Sequence, residues 1–183
     1  MDLESAISDA NQRARDLHAL RLKNDDRSRI AASLFAIAQQ HQSAILILLS
    51  NKTPVEATAF SLLRLLLETT VRGVWTSHCA TEEQVKNIIG GTQRQIDIAT
   101  IFTSVERALS ESAGRDVKAK SLYEKHWKPL SAYTHGYEQQ VQRWLVAKDI
   151  GPNYSEDEVE ELICRSDLVA NLAFACTRSL ALE

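Results

Sequence analysis

The sequence predicts an all-α fold, a single-domain bundle of about six to seven helices covering residues 1–183. Three observations carry that prediction. Only six glycines and three prolines interrupt the chain. No stretch shows the sustained two-residue alternation of a half-buried strand, and apolar residues recur at spacings of three and four. A hydrophobic content of 44% with 25% charged residues is ordinary globular usage and excludes a wholly disordered chain. A chain of this length can bury a core without disulfide or metal staples.

Leu3, Ile7, Ala10, Ala14 and Leu17 mark an amphipathic first helix ending near Leu22. Lys23-Asn24-Asp25 is a polar break in which Asp25 or Asp26 can cap the next helix. That helix runs to about Ser50, with Ile30, Leu34, Ala38, Ile45 and Leu48-Leu49 on its core side. Thr53-Pro54-Val55-Glu56 reads as a helix start, with Thr53 as cap, Pro54 in the first turn and Glu56 closing a capping box. The third helix then runs to about Ala80, where Thr81-x-x-Gln84 forms a second box. A fourth helical stretch is interrupted at Gly90-Gly91 and resumes through Ile96, Ala99, Phe102, Val105 and Leu109. A polar link at Ser110–Gly114 precedes a basic helix, about Asp116–Trp127, which leads to Pro129. A short helix over Tyr137–Ala147 and the turn Gly151-Pro152-Asn153-Tyr154 follow. Ser155-x-x-Glu158 opens the last helix, whose acidic first turns suit the positive end of its dipole. Leu182-Glu183 has the character of a cloning remnant and is set aside.

A net charge of −3 gives no global attraction to nucleic acid or anionic membranes, so such binding needs a local patch. Arg115, Lys118, Lys120, Lys125 and Lys128 form one basic stretch, read either as a phosphate footprint or as a solvated helix face. Cys79, Cys164 and Cys176 are odd in number and widely spaced, which reads as reduced, mostly buried thiols of a cytoplasmic protein without a metal site. The N-terminus has no secretory h-region, and the apolar runs Ala44–Leu49 and Leu62–Leu67 are too short to span a bilayer, so no membrane role is expected. No phosphate-binding glycine loop, nucleophile elbow or HExxH appears, and no cofactor is expected.

Two segments hold residues that could do chemistry. In the third helix, Leu62, Leu63, Leu65, Leu66 and Leu67 leave almost no polar face, which places that helix among others. Against that background Arg64, Glu68 and Arg72 fall four residues apart on one stripe, with Glu68 held between the arginines. An exposed ladder, a buried structural network and a functional site all fit that pattern. The second segment is Leu130-Ser131-Ala132-Tyr133-Thr134-His135-Gly136, where Ser131 and His135 would share a helical face. Histidine transfers protons near neutral pH, and a carboxylate such as Glu68 would fix its tautomer. The structural alternative is that Ser131 caps a helix and His135 precedes a Gly136 C-cap. Trp75, Trp127, Tyr133 and Trp144 read as core or interface aromatics.

The blocks Arg64–Trp75 (RLLLETTVRGVW), His78–Thr81 (HCAT) and Leu130–Gly136 (LSAYTHG) resemble a family of bacterial all-helical proteins. That family looks distantly related to HEPN-like helical domains, several of which are ribonuclease toxins or abortive-infection proteins. The resemblance runs from the second helix to the Gly-Pro-Asn-Tyr turn. It implies one composite site in which His135 is general acid or base, Arg72 stabilises phosphorane charge, Glu68 orients them and Ser131 positions a phosphate. Arg64, Tyr133 and His78 would complete substrate binding. Nucleases of the HEPN group carry an Arg with a His about five to seven positions later. Arg72/His78 and Arg13/His18 meet that spacing, but six residues rotate a regular helix by about 240°, so Arg72 and His78 do not share a face.

Two functional classes follow. One is a binding, regulatory or defence-associated module, acting as a homodimer or with a protein partner through the apolar faces of the first and last helices. The other is a HEPN-like, metal-independent ribonuclease or toxin using Glu68, Arg72 and His135, with RNA as its substrate.

Overall fold

The computed structural model describes residues 1–135, 138–146 and 149–182. Among them are eight helices: α1 Leu3–Ala19, α2 Asp26–Ser50, α3 Glu56–His78, α4 Glu82–Ile89, α5 Ile98–Ala113, α6 Ala119–Thr134, α7 Glu138–Trp144 and α8 Glu156–Arg178. The count exceeds the expected six to seven because the interrupted fourth stretch forms two separate helices. Gly90 ends α4, Gly91 takes a left-handed φ of 68°, and Asp97 caps α5 through the amides of Ala99 and Thr100.

The α2–α3 hairpin is the spine. The α3 helix touches α2, α5, α6 and α8, so the leucine-rich helix is surrounded, as its sequence requires. Its buried face includes Leu63, Leu66, Leu67, Thr70 and Val74, and Gly73 lies against the ring of Phe35 from α2. The C-terminal end of α3 is closed from α2, where Arg27 donates to the carbonyls of Thr76 and Ala80 at 2.9 and 2.6 Å. By length and composition α2 as a whole would suffice to cross a membrane, although its longest apolar run is short. Here it packs against α1, α3, α4 and α8 as a core helix.

Local capping logic succeeds at three helix starts. Asp25 accepts from the Ser28 amide at 2.9 Å, and the Thr81/Gln84 and Ser155/Glu158 boxes both form. It fails at α3. Helix geometry begins at Glu56, the N-cap is Val55, and no side chain caps it. The Val55 amide donates to the Leu48 carbonyl at 3.1 Å, so a backbone contact to the end of α2 sets the entry that Thr53 was expected to set.

Other boundaries also move. The α1 helix stops at Ala19 rather than near Leu22, because the chain beyond it pairs with the C-terminal segment. Lys23 donates to Leu180 and Leu182 to Arg21 through backbone bonds of 3.0 and 2.8 Å. Leu182 therefore belongs to the fold, while Glu183 lies outside the described residues. Ser110–Ala113 is the last turn of α5 rather than a link, closed by Gly114 at a φ of 60°. The basic helix does not stop at Trp127: α6 continues through Pro129 to Thr134. Ser131 is consequently inside a helix and caps nothing. The expected Tyr137–Ala147 helix is shorter, α7 giving way to strand β1 Leu145–Val146, antiparallel to β2 Asp149–Ile150. The expected C-cap at Gly136, with Tyr137 and Ala147, lies outside the described residues. Cys164 is exposed, contrary to the expectation of mostly buried thiols, and burial pushes the half-buried Cys79 and Cys176 thiols up.

Candidate functional site

The α3 stripe forms as a closed ladder. One oxygen of Glu68 accepts from Arg72 Nε and Nη2 at 3.0 and 2.7 Å, and the other faces Arg64 Nη2 at 3.5 Å. Spacings of four residues place the three side chains one above another on the same face of α3. Their side-chain exposures of 18%, 18% and 24% for Arg64, Glu68 and Arg72 place the ladder between an open surface and a sealed core. They line the wall of a cleft of about 340 Å³.

The facing wall comes from two other parts of the chain. Gln95, Ile96, Asp97 and Ile98 lead into α5, and Trp127 projects from α6. The Arg64 guanidinium lies 4.8 Å above the Trp127 ring, a cation–π contact, and its Nη1 meets His135 Nε2 at 3.2 Å. Trp127, Ser131 and His135 are four residues apart, so α6 turns one face toward Arg64. Two polar atoms in this seam, Arg64 Nε and Ser131 Oγ, are buried without a hydrogen-bond partner among the described residues.

This geometry redistributes the expected roles. His135 was to be fixed by Glu68 beside Arg72, but its partner is Arg64. Glu68 is turned along its own helix, where two guanidiniums compensate its charge. Arginine has only donors, so Nε2 of His135 accepts and the ring proton belongs on Nδ1. The cluster thus consists of a carboxylate already engaged by cations and an imidazole faced by a cation. No carboxylate among the described residues is bonded to His135 to polarise it as a base. The open hydrogen-bonding capacity lies instead on Arg72 Nη1, which has no partner among the described residues.

Two expected binding residues fall elsewhere. Tyr133 lies on the other side of α6, stacked on Phe60 at 5.4 Å, which stacks in turn on Tyr154 at 5.0 Å. It lines a separate cleft of about 190 Å³ with His126, Glu161 and Arg165. Burial lowers the His126 pKa, and the Arg165 and Lys125 cations push it the same way. His78 is the exposed last residue of α3 and lines neither cleft. The second Arg–His pair also fails to meet as a site: Arg13 is buried against Asp167 at 2.8 Å while His18 is exposed. The basic residues Arg115, Lys118, Lys120, Lys125 and Lys128 are all exposed. Trp75 is buried, Trp127 half-buried and Trp144 exposed.

Sequence reasoning missed Trp127 as the seat of Arg64, and Gln95 and Asp97 as walls. The spacing of Trp127, Ser131 and His135 was a usable signal for the first. Nothing local marks the second, since the approach of residues 95–98 to α3 is a tertiary event. Among the described residues no three His, Cys, Asp or Glu side chains gather as a metal site.

A search of curated proteins finds no match, and a search of solved structures finds none. A family model matches residues 35–182, from the middle of α2 through the end of α8, and so covers the whole cleft. The chain belongs to DUF6988, a family of unknown function.

Proposed function

We propose that the protein is a cytoplasmic binding and regulatory module, working as a homodimer or with a protein partner, whose α3–α6 cleft takes an anionic group. The observation that carries this is the state of the two groups a catalyst would need. Glu68 is held between Arg64 and Arg72, and His135 is bonded to a guanidinium, whereas Arg72 lines the cleft with an Nη1 that has no partner among the described residues. Such an arrangement recognises negative charge without being set up to move a proton. The exposed Leu168 and Leu172 of α8 support self-association through the last helix.

One observation favours a second reading, a HEPN-like ribonuclease or defence toxin. The Arg64–His135 contact puts a cation beside a proton-transfer group, with Arg64 rather than Arg72 in the position next to His135. Expression of the wild-type chain and of His135→Ala, scored for growth and RNA integrity, separates the two. Equal growth and intact RNA in both supports binding; toxicity abolished by the substitution overturns it. Titration of the purified protein with inorganic phosphate and acetate, followed by calorimetry, tests the anion site itself. Saturable binding weakened at least tenfold in Arg72→Gln is expected, and no binding of either anion removes the site.

A further inference from the structure

The cleft beside α3 does not end at Arg72. On the far side of that side chain lies a second hollow of about 210 Å³, lined by Ile30, Leu34, Trp75, Ile88 and Ile96. Arg72, Gln95 and Ile96 line both hollows, so the two adjoin at these three residues. They differ in chemistry. The first presents Arg64, Glu68, Arg72 and Asp97, while the second is walled mainly by aliphatic and indole carbon, with Thr76, Gln93 and Arg94 also in its lining and Gln93 Oε1 buried without a partner among the described residues. Asp97 is engaged as the cap of α5, its Oδ2 accepting from the amides of Ala99 and Thr100 at 3.0 and 3.3 Å.

The second hollow is formed by structure rather than by a loose surface. Its floor is the α2–α3 hairpin, with Trp75 buried. Its outer rim is the non-helical segment between α4 and α5, anchored where Thr92 and Gln93 donate to the Asn87 carbonyl at 2.9 and 3.1 Å. Arg72 is therefore held by Glu68 where the charged hollow and the apolar one adjoin, and its Nη1 has no partner among the described residues.

We infer that the ligand of this site is an amphipathic organic anion, a carboxylate with an apolar body. The acid group would pair with Arg72 and the body would lie along Ile30, Leu34, Trp75 and Ile88. A hollow of about 210 Å³ has room for a short acyl chain. An eight-carbon acid serves as the probe. The charge complementarity of Arg72 and Arg94 selects an anion over an alcohol or an alkylammonium of the same length. This inference rests on the anion-binding role of the cleft and specifies the part of the ligand which that role leaves open.

Calorimetric titration of the intact chain with octanoate, acetate and octan-1-ol tests it. Octanoate is expected to bind at least tenfold more tightly than either other probe. Arg72→Gln should bring octanoate down to the level of octan-1-ol, and Ile88→Glu should abolish octanoate binding while acetate binding persists. Circular dichroism melts check that each variant is folded, and the uncharged Arg72→Met replaces Arg72→Gln if the latter is not. Octanoate binding no tighter than acetate overturns the apolar half of the inference and leaves the anion site standing. Octanoate binding no tighter than octan-1-ol overturns the charged half. Failure of acetate and phosphate alike would instead remove the anion site on which the inference rests.

Discussion

The ring of Phe35 occupies the space that a side chain at Gly73 would need. A β-carbon added there would lie 2.4 Å from Cε1 of the ring, well inside contact distance. The glycine thus lets α2 and α3 approach closely at the spine of the bundle. Gly73→Ala gains about 1 kcal/mol of helix propensity, but overpacking a buried site costs about 1–3 kcal/mol. The variant should melt at lower temperature than the wild type, and adding Phe35→Leu should recover part of the loss. A Gly73→Ala protein as stable as the parent would show that the two helices can separate without cost.

Arg13 and Asp167 form a second long-range relationship, buried where α1, α2 and α8 meet. Their ion pair at 2.8 Å is extended by Gln42 and Asn171, which accept from Arg13 at 2.8 and 3.0 Å. Arg13→Met would leave Asp167 buried without its main partner, at a cost of about 3–5 kcal/mol. Replacing both residues by Met and Leu removes the charge as well as the partner and should restore most of that loss. Denaturant titration of the two variants checks this; equal destabilisation in both would contradict it.

At the start of α2, the Ser28 amide and hydroxyl donate to Asp25 at 2.9 and 2.7 Å. The amide contributes most to holding the Asp25 pKa below its ordinary value. A folded-state pKa below the unfolded one makes the contribution complete above the unfolded value, about pH 4, and removes it as pH falls through the folded value. Asp25→Ala should therefore cost about 1 kcal/mol at pH 7, and the difference from wild type should shrink steadily below about pH 4. Melting temperatures of both proteins from pH 2 to 7 give the comparison. A gap independent of pH would refute the charged-cap explanation.

Arg64 over Trp127 joins α3 to α6. A double-mutant cycle of Arg64→Ala and Trp127→Leu should show coupling of about 0.5–1 kcal/mol, the range for a partly exposed cation–π contact. Strict additivity would mean that the proximity contributes nothing.

Pro129 sits inside α6 and cannot donate to the preceding turn. Pro129→Ala should restore that hydrogen bond and raise stability by about 2 kcal/mol, after allowing for the greater freedom of the unfolded chain. Unchanged or lower stability by chemical denaturation would count against an unbroken helix through this position.

Local chemistry was legible wherever the partners are neighbours in sequence. The Glu68 ladder, the Asp25 cap and the Thr81 and Ser155 boxes each join residues within one helical turn, so backbone geometry alone brings them together. The same local logic failed at Thr53 and Pro129. At Thr53 a backbone contact to Leu48 moved the helix start. At Pro129 the packing of α6 against α3 and α5 accompanies a helix that the proline alone would have ended.

The site itself divides the same way. The sequence by itself determined that an apolar helix carries Arg64, Glu68 and Arg72 on one stripe, because a spacing of four has only one meaning on an α-helix. Only the tertiary structure decided that His135, 71 positions beyond Arg64, meets that arginine rather than Glu68. It also decided that Trp127 and residues 95–98 close the cleft and that Tyr133 faces away from it. The physical reason is that helix rotation fixes which side chains share a face. Which face meets which neighbour is set by packing among many helices at once, and no single segment encodes that.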